Sequence, residues 1–331
     1  MRNLLCKLLV IIPFMAICTV ANTAPSYTIT EIGYIEPVDI NNSGMVFGNG
    51  IVDVEKEKTA SSEVYLWSKN TDLVTLKGLS EERTTARKIN NLGQCLGESY
   101  NTKTTLRCVR WDNDHSIHEL SKTMWNACGI NDSGQVAGIS LITGGFPRAV
   151  IVDSKGTLTE LPPLTDDEGS QANGINKYGV VVGQSYGKGG ANRKAVLWSP
   201  ENDAPILLET LESAGGSCPT DINDKGISVG SVYFNNSGTH RAVLWDADGL
   251  ITELGWNGTA NAINNSGTVI GDRGGRPMIW KKGVMTDLST LIPENSGWVI
   301  STATGINDSG CIVGKGTLNG EQMGYLLTPC L

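Results

Sequence analysis

Short apolar segments alternate with polar, glycine-containing turns along almost the whole chain. In one representative stretch, residues 219–223 are extended in character and residues 223–226 have turn composition. Further apolar segments follow at 227–231, 242–245 and 251–254. β-branched residues and glycine dominate, and no long stretch carries the 3.6-residue apolar period of an amphipathic helix. The pattern predicts four β-strands in this stretch and scarcely any helix in the chain.

The pattern recurs because one phrase, Ile-Asn-x-x-Gly followed by a second glycine four residues later, occurs seven times. An Asn-x-x-Gly sequence closes a hairpin turn, since asparagine bonds its own backbone and glycine accepts positive φ. The second glycine falls inside the next strand, where close backbone packing or a bulge would explain it. The copies begin at Ile40, Ile89, Ile130, Ile175, Ile222, Ile263 and Ile306.

Four antiparallel strands repeated about every 45 residues predict a β-propeller in which each repeat forms one blade. Five repeats end their third strand with a tryptophan, and Val152 and Leu327 take that position in the other two. The equivalence of these positions predicts a structural role in packing between blades. The tryptophans are Trp67, Trp111, Trp198, Trp245 and Trp280.

The two ends of the chain complete one repeat between them. The seventh repeat stops after its third strand, at 324–328, whereas residues 27–33 match the fourth-strand sequence at 251–255. We therefore predict that the N-terminal strand completes the last blade and closes the ring, which removes the exposed edges of an open array. The predicted domain is an all-β, seven-bladed propeller over residues 27–331. Six full blades with an irregular remainder form the alternative.

The first residues differ in character from the repeats. Arg2 and Lys7 precede an apolar run at 8–20 that is followed by small residues, which is typical of a secretory signal peptide. Cleavage after Ala21 is preferred to cleavage after Ala24, which would leave Pro25 as the first residue. We expect the mature chain to be secreted, to the periplasm or the exterior, without a membrane span.

Charge and cysteine content narrow the possible partners. Removal of residues 1–21 leaves 24 basic and 34 acidic residues, a formal charge of −10, which argues against nucleic acid as a partner. No Cys-x-x-Cys pair occurs and the chain has three histidines, so we expect neither a metal nor a cofactor.

Six cysteines remain after cleavage, and in an oxidising compartment an even count permits disulfides. Cys95 and Cys108 lie on the two strands of one predicted hairpin, and Cys311 and Cys330 flank another. Local disulfides are therefore one expectation. Small buried thiols that fill strand positions are the other.

The phrase Gly-Ile-Asn-Asp-Ser-Gly at 129–134 and 305–310, together with Ala-Val-Leu-Trp and the Met-Thr-Asp-Leu at 285–288, resembles the HAF-repeat proteins. This family comprises exported bacterial repeat proteins, and the resemblance covers nearly the whole mature chain. It implies a propeller-like fold and an envelope or extracellular location, and no established activity. The His-Ala-Phe of the family name appears here as Arg-Ala-Val or Lys-Ala-Val.

One face of the predicted disc varies more than the other. The first-to-second turn has one length throughout, whereas the segment from the second glycine to the third-strand tryptophan spans 9 residues in the sixth repeat and 19 in the first, which carries Glu55 to Lys58. Variable loops on a rigid frame commonly carry binding sites.

Basic and aromatic residues are expected on this variable face. A basic residue near the start of the third strand recurs in five repeats, and three tryptophans lie in or near the fourth-to-first connections. Such residues could form a platform for a sugar, an acidic glycan or a peptide side chain. The alternative is that each basic residue pairs with an aspartate or glutamate of a neighbouring blade and each tryptophan covers a strand end. The candidate ligand-binding residues are Arg107, Arg148, Lys194, Arg241, Arg276, Trp125, Trp256 and Trp298.

No catalytic motif accompanies these residues. His115 and His118 lie in a polar turn and His240 precedes a strand, without a nucleophile or base motif around them. The sequence therefore favours a secreted, monomeric, non-catalytic binding propeller whose ligand is a glycan or a protein surface. A polysaccharide-acting propeller enzyme and a structural envelope protein are the alternatives.

Overall fold

The computed structural model describes residues 26–51, 63–141 and 145–330. Within them the chain forms seven antiparallel four-stranded sheets arranged in a ring. The helical content of these residues is two short 3₁₀ turns, Lys188–Gly190 and Leu288–Leu291. The predicted all-β, seven-bladed propeller is confirmed. The predicted signal peptide and the Glu55 to Lys58 loop lie outside the described residues.

In blades 1 to 6 the four strands follow one another in chain order from the channel to the rim. Blades 1 to 3 consist of β2 (Ile35–Ile40), β3 (Val46–Gly50), β4 (Val64–Ser68) and β5 (Thr71–Leu76); β6 (Thr84–Ile89), β7 (Cys95–Thr102), β8 (Thr105–Trp111) and β9 (Ile117–Glu119); and β10 (Met124–Ile130), β11 (Val136–Leu141), β12 (Pro147–Val152) and β13 (Leu158–Leu161).

The next three blades repeat this order. Blades 4 to 6 consist of β14 (Gly169–Ile175), β15 (Val181–Tyr186), β16 (Lys194–Trp198) and β17 (Ile206–Leu207); β18 (Gly216–Ile222), β19 (Ser228–Phe234), β20 (Thr239–Trp245) and β21 (Ile251–Asn257); and β22 (Thr259–Ile263), β23 (Val269–Asp272), β24 (Pro277–Lys281) and β25 (Val284–Asp287).

Blade 7 joins the two ends of the chain. Its first three strands are β26 (Trp298–Ile306), β27 (Ile312–Leu318) and β28 (Glu321–Pro329), and its fourth is β1 (Tyr27–Glu31). β1 lies antiparallel to β28, with Tyr27 opposite Pro329 and Glu31 opposite Tyr325. The N-terminal strand therefore closes the ring as predicted, and the six-blade alternative is wrong.

The hydrophobic core lies between neighbouring blades. One cluster combines Phe47 and Val64 of blade 1 with Val109 and Trp111 of blade 2. Three third-strand tryptophans also donate their indole N–H to a carbonyl that follows the preceding blade's fourth strand. These bonds join Trp111 to Lys77 (2.8 Å), Trp198 to Pro162 (2.8 Å) and Trp245 to Glu209 (2.7 Å). Trp67 and Trp280 are partly buried and pack against clusters of their own.

Every first strand contains a bulge at the same place, two residues before the isoleucine of the repeat phrase. The second glycine of the phrase pairs with the residue just before the bulge; Gly183, for example, lies opposite Ala172. A Cβ atom on Gly183 would collide with the carbonyl oxygen of Gln171. The second glycine is thus required by both reasons expected from the sequence, close backbone approach and a bulge.

We expect Gly183→Ala to destabilise the propeller by about 2–3 kcal/mol, because the added methyl group meets backbone that cannot move aside cheaply. Chemical denaturation of both proteins measures the difference. The matched control is Gly187→Ala in the same blade, where a Cβ would make contacts of ordinary length. Equal stability of the two variants would contradict the packing argument.

Candidate ligand-binding site

The central channel has two unlike mouths. The seven first-to-second turns surround one mouth, and we call this side the Asn face. The second-to-third and fourth-to-first connections surround the other, because successive strands are antiparallel; we call this side the variable face. A cavity of about 180 Å³ opens at the Asn face and is lined by residues from all seven turns.

Seven buried asparagines form a closed hydrogen-bonded ring at the Asn face. In each turn the side-chain oxygen accepts the backbone N–H four residues further on, and in six of the seven turns it also accepts the N–H two residues further on. Asn176, for example, accepts from Tyr178 (3.0 Å) and Val180 (3.1 Å). The amide nitrogen donates to the backbone carbonyl of the corresponding asparagine in the next blade, at 2.9–3.2 Å. The ring comprises Asn41, Asn90, Asn131, Asn176, Asn223, Asn264 and Asn307.

The residue after each asparagine adds an outer ring at the rim of the same mouth. At six junctions its backbone N–H donates to the side-chain oxygen of its counterpart in the next blade. The series is interrupted between Asp132 and Lys177, because lysine offers no acceptor. Burial alone would raise the pKa of Asp308, but the hydrogen bonds from Asn265 and Asn42 outweigh it and hold that pKa below its ordinary value. These contacts give the Asn face a role in holding the blades together.

Three charged residues lie one position before the isoleucine, inside the channel. The ammonium of Lys88 is 3.9 Å from the carboxylate of Asp39, which raises the pKa of Lys88 against the lowering effect of burial. Burial raises the pKa of Asp221. Both carboxylates also accept backbone N–H groups, Asp39 from Ile89 and Asp221 from Ile263. One ammonium thus offsets part of the charge of two carboxylates, and backbone N–H groups supply further hydrogen bonds to both.

The bulge residues distinguish one side of the channel from the other. In blades 4 to 7 each donates a hydrogen bond to a carbonyl of the next blade: Asn173 to Pro219, Thr220 to Ala260, Asn261 to Ala303 and Thr304 to Pro37. In blades 1 to 3 the same position holds Val38, Arg87 and Cys128. These three blades have given up an inter-blade bond that the other four retain.

A cavity of about 460 Å³ lies where this bond is missing. Its walls come from the first strands of blades 1, 2, 3 and 7 and from the second strand of blade 1, and they include all three exceptional bulge residues. Two ion pairs border the opening: Arg87 with Glu98 at 3.0 Å, and Lys315 with Glu36 at 2.6 Å. We call this opening the channel site. Its lining residues include Glu36, Val38, Asn49, Arg87, Asn126 and Cys128.

The thiol of Cys128 is protonated at neutral pH. Burial raises its pKa to about 12, although Arg87 acts in the opposite direction. Its sulfur lies 3.3 Å from the side-chain oxygen of Asn126, to which it donates. A cysteine reacts as a nucleophile through its thiolate. Because the Cys128 thiol keeps its proton, it acts in the wall of the site as a weak hydrogen-bond donor.

The predicted basic residues are mostly engaged in ion pairs. Arg107 pairs with Glu119 at 2.9 Å, Lys194 with Asp167 at 2.9 Å and Arg241 with Glu253 at 3.1 Å. Arg148 donates to the carbonyl of Glu168, and Arg276 takes part in a turn through its backbone. The pairs of Arg107 and Arg241 are within one blade rather than between neighbours. Three of the five basic residues thus have acidic partners, but at Arg107 and Arg241 the partner does not belong to the neighbouring blade that the ion-pair alternative named.

The three predicted tryptophans have different environments. Trp125 lies in β10 with half of its surface (50%) exposed. Trp256 is 4% exposed and donates its indole N–H to the carbonyl of Asp272. Trp298 packs edge-on against Tyr325, with ring centroids 5.9 Å apart. Trp125 thus offers a surface to a ligand, whereas the Trp256 ring is part of the core and the three do not form one platform.

The six cysteines of the described residues are free. Cys95 of β7 lies opposite Trp111 of β8, whereas Cys108 of β8 lies opposite Glu98, which is three residues after Cys95 in β7. An odd offset directs the two side chains to opposite faces of the sheet, and they pack in different core clusters. The disulfides expected for Cys95 with Cys108 and for Cys311 with Cys330 are not formed.

The charged residues of the channel site, Arg87, Glu98, Glu36 and Lys315, were not singled out by sequence reasoning. A usable signal existed, since an alignment of the seven phrases places Arg87 where four repeats have asparagine or threonine. The other three required knowledge of which side chains the ring brings together.

Neither a metal cluster nor a membrane helix is found in the described part of the chain. No group of three or more histidine, cysteine, aspartate or glutamate residues there could hold a metal ion. None of its helices is long and apolar enough to cross a membrane.

Comparison with known proteins supports the fold. No protein-family model and no curated protein matches the sequence. TolB from Acinetobacter baumannii is similar in structure, with a TM-score of 0.51 and 12% identity over 89% of this chain and 63% of TolB. Virginiamycin B lyase from Staphylococcus aureus has a TM-score of 0.56 and 10% identity, over 92% of this chain and 100% of the lyase. Oligogalacturonate lyase from Vibrio parahaemolyticus has a TM-score of 0.55 and 13% identity, over 91% of this chain and 90% of the lyase.

The seven sheets define the chain as a seven-bladed β-propeller, and these similarities support that fold. At 10–13% identity they establish the fold alone. The chain spans less than two thirds of the length of the TolB structure.

Proposed function

We propose that this protein is an exported, non-catalytic binding propeller that holds its ligand in the channel site on the variable face. The observation that carries the proposal is the exception in the bulge positions. Four blades use this position to bond to their neighbour, and three blades replace it with residues that line a cavity of about 460 Å³. A repeat protein that loses scaffold bonds on one side only, beside an open cavity, has a reason other than stability for doing so.

The state of the charged groups favours binding over catalysis. Arg87 and Glu98 neutralise each other, as do Lys315 and Glu36, and the Cys128 thiol is protonated because burial raises its pKa to about 12. Groups fixed in this way orient a polar ligand, whereas general acid–base catalysis requires a group that exchanges its proton near the working pH.

The ligand class we propose is a glycan, with a protein surface as the alternative. Polar side chains with a few charged groups, arranged around an open cavity, suit hydroxyl-rich molecules. Two similar propellers are lyases, one of them named for oligogalacturonate. The predicted signal peptide and the resemblance to HAF-repeat proteins support export, and we propose membership of that family on the same repeat phrases.

A glycan array probed with the chain from residue 22 onward tests the proposal. We expect selective binding that weakens at least ten-fold in Cys128→Asn, which fills the cavity and introduces a residue type used at this position in blades 4 and 6. The matched control is Lys177→Ala on the Asn face, which should bind as the parent does. Both variants should keep the parent's melting temperature to within a few degrees.

Other outcomes would contradict the proposal. An equal loss of glycan binding in both variants would mean that the channel site does not hold the ligand. Complete absence of binding would favour a structural envelope role, and release of shortened glycan fragments would favour a polysaccharide-acting enzyme.

A further inference from the structure

We propose that the part of the channel site between blades 1 and 2 is a subsite for the carboxylate of an acidic sugar, with Arg83 and Arg87 as its anion-binding groups. The inference rests on the proposed function and specifies its ligand.

The two arginines line one cavity of about 270 Å³. This cavity shares Asn49, Ala86 and Arg87 with the larger cavity of the channel site, so the two form a continuous cleft. The volume of the smaller part, about 270 Å³, is slightly below the range of about 300–1,000 Å³ for whole ligand pockets. It suits a single sugar residue, with the larger part available for the next one.

Arg87 is held in place from one side only. It lies at the bulge of β6, and its Nη2 donates to both carboxylate oxygens of Glu98, at 3.1 and 3.0 Å. The Glu98 side chain is 8% exposed and that of Arg87 is 45% exposed. Within the described residues, Nε and Nη1 of Arg87 have no recorded partner. A fixed guanidinium with two unused donors is well suited to a planar carboxylate, which arginine binds through parallel hydrogen bonds.

Arg83 supplies the unbalanced charge. Arg83 is exposed, and its side chain forms no ion pair or hydrogen bond with the described residues. Glu98 already neutralises Arg87, so the cleft carries a net charge of about one positive unit. This balance favours a monoanionic carboxylate over a phosphate monoester, which carries a charge of about −1.5 to −2 at pH 7.

The remaining walls fit a sugar ring. The half-buried Tyr100 and the partly exposed Leu106 provide apolar surface for its C–H groups. Asn49 accepts the backbone N–H of Ala86 through its oxygen at 2.8 Å, which leaves its amide nitrogen to donate to a hydroxyl. The ligand class is therefore an oligosaccharide that contains uronate residues.

Calorimetric titration with trigalacturonate and with its fully methyl-esterified form tests the inference on the chain from residue 22 onward. We expect at least ten-fold tighter binding of the acid, with the preference reduced as salt is raised. Arg83→Gln should weaken binding of the acid about ten-fold and leave binding of the ester unchanged. Arg273→Gln, an exposed arginine in blade 6, is the control and should change neither.

We expect Arg83→Gln to fold as the parent does, because within the described residues the exposed Arg83 side chain makes no hydrogen bond or ion pair that the change would remove. For Arg87, the double variant Arg87→Gln with Glu98→Gln removes both charges together, and it too should lose the preference for the acid.

Equal binding of acid and ester would overturn the carboxylate subsite while leaving a glycan-binding function standing. Displacement of the acid by inorganic phosphate at equal concentration would overturn it in favour of a general anion site. Failure to bind either form, together with an empty glycan array, would overturn both the subsite and the proposed function.

Discussion

Removal of residues 26–33 is expected to lower the melting temperature of the propeller by about 10–20 °C. The deletion takes away β1, the fourth strand of blade 7, and with it the buried side chains of Tyr27 and Ile32. It also breaks the backbone bonds between Ile32 and Gly324 and between Gly324 and Gly33, at 3.0 and 2.9 Å. Loss of two large buried side chains costs about 5 kcal/mol or more. In a chain of this size each kcal/mol corresponds to about 2–4 °C.

Scanning calorimetry of the parent and the truncated chain measures this effect. Thr28→Ala and Glu31→Ala are the matched controls, because both residues of this strand are exposed and the loss of their side chains leaves the core intact. We expect these variants to melt within about 2 °C of the parent. A truncated chain with an unchanged melting curve would mean that β1 does not hold the ring closed.

The architecture was predictable because it depends on local signals that recur. Each Ile-Asn-x-x-Gly phrase marks one hairpin between the first and second strands, and seven copies count the blades. The match of residues 27–33 to a fourth strand predicted the pairing of β1 with β28. Both inferences needed the repeat alone and no knowledge of side-chain packing.

The site was less predictable because strand ends decide which side chains are buried. Trp256 was expected in a connection after Leu254, but β21 continues to Asn257. Strand alternation then directs Leu254 and Trp256 to the same core. In β10 the same alternation leaves Trp125 outward. Because β21 ends three residues later than the sequence indicated, Trp256 is a core residue and not the surface aromatic that was expected.

Contacts between blades were the other unpredictable element. The sequence explains why each turn contains asparagine, through bonds to its own backbone. It does not show that the remaining amide protons point to the next blade, because that depends on the distance between turns 41 to 49 residues apart. The Asn ring is therefore a property of the closed propeller, which makes each asparagine more important than its turn alone requires.

Replacement of a single member tests this ring. We expect Asn176→Ala to reduce the free energy of unfolding by about 3–5 kcal/mol. It removes the bonds to the N–H groups of Tyr178 and Val180 and the bond to the carbonyl of Asn223, at 3.0, 3.1 and 3.2 Å. Each bond contributes about 1 kcal/mol, and buried groups left without a partner add a further penalty. Asn236→Ala, at an exposed asparagine in blade 5, should cost less than about 0.5 kcal/mol.

The conservative variant Asn176→Asp separates the turn from the ring. Aspartate keeps an oxygen for the N–H groups of Tyr178 and Val180, but it replaces the amide donor with an oxygen that faces the carbonyl of Asn223. Burial and that carbonyl favour the protonated acid, so the folded-state pKa is expected to be raised. Stability relative to the parent should then be greatest below about pH 4 and should fall as the pH rises towards 7. Denaturant titrations at pH 4 and pH 7 measure the difference, and a pH-independent cost equal to that of Asn176→Ala would show that the donor to the next blade contributes nothing of its own.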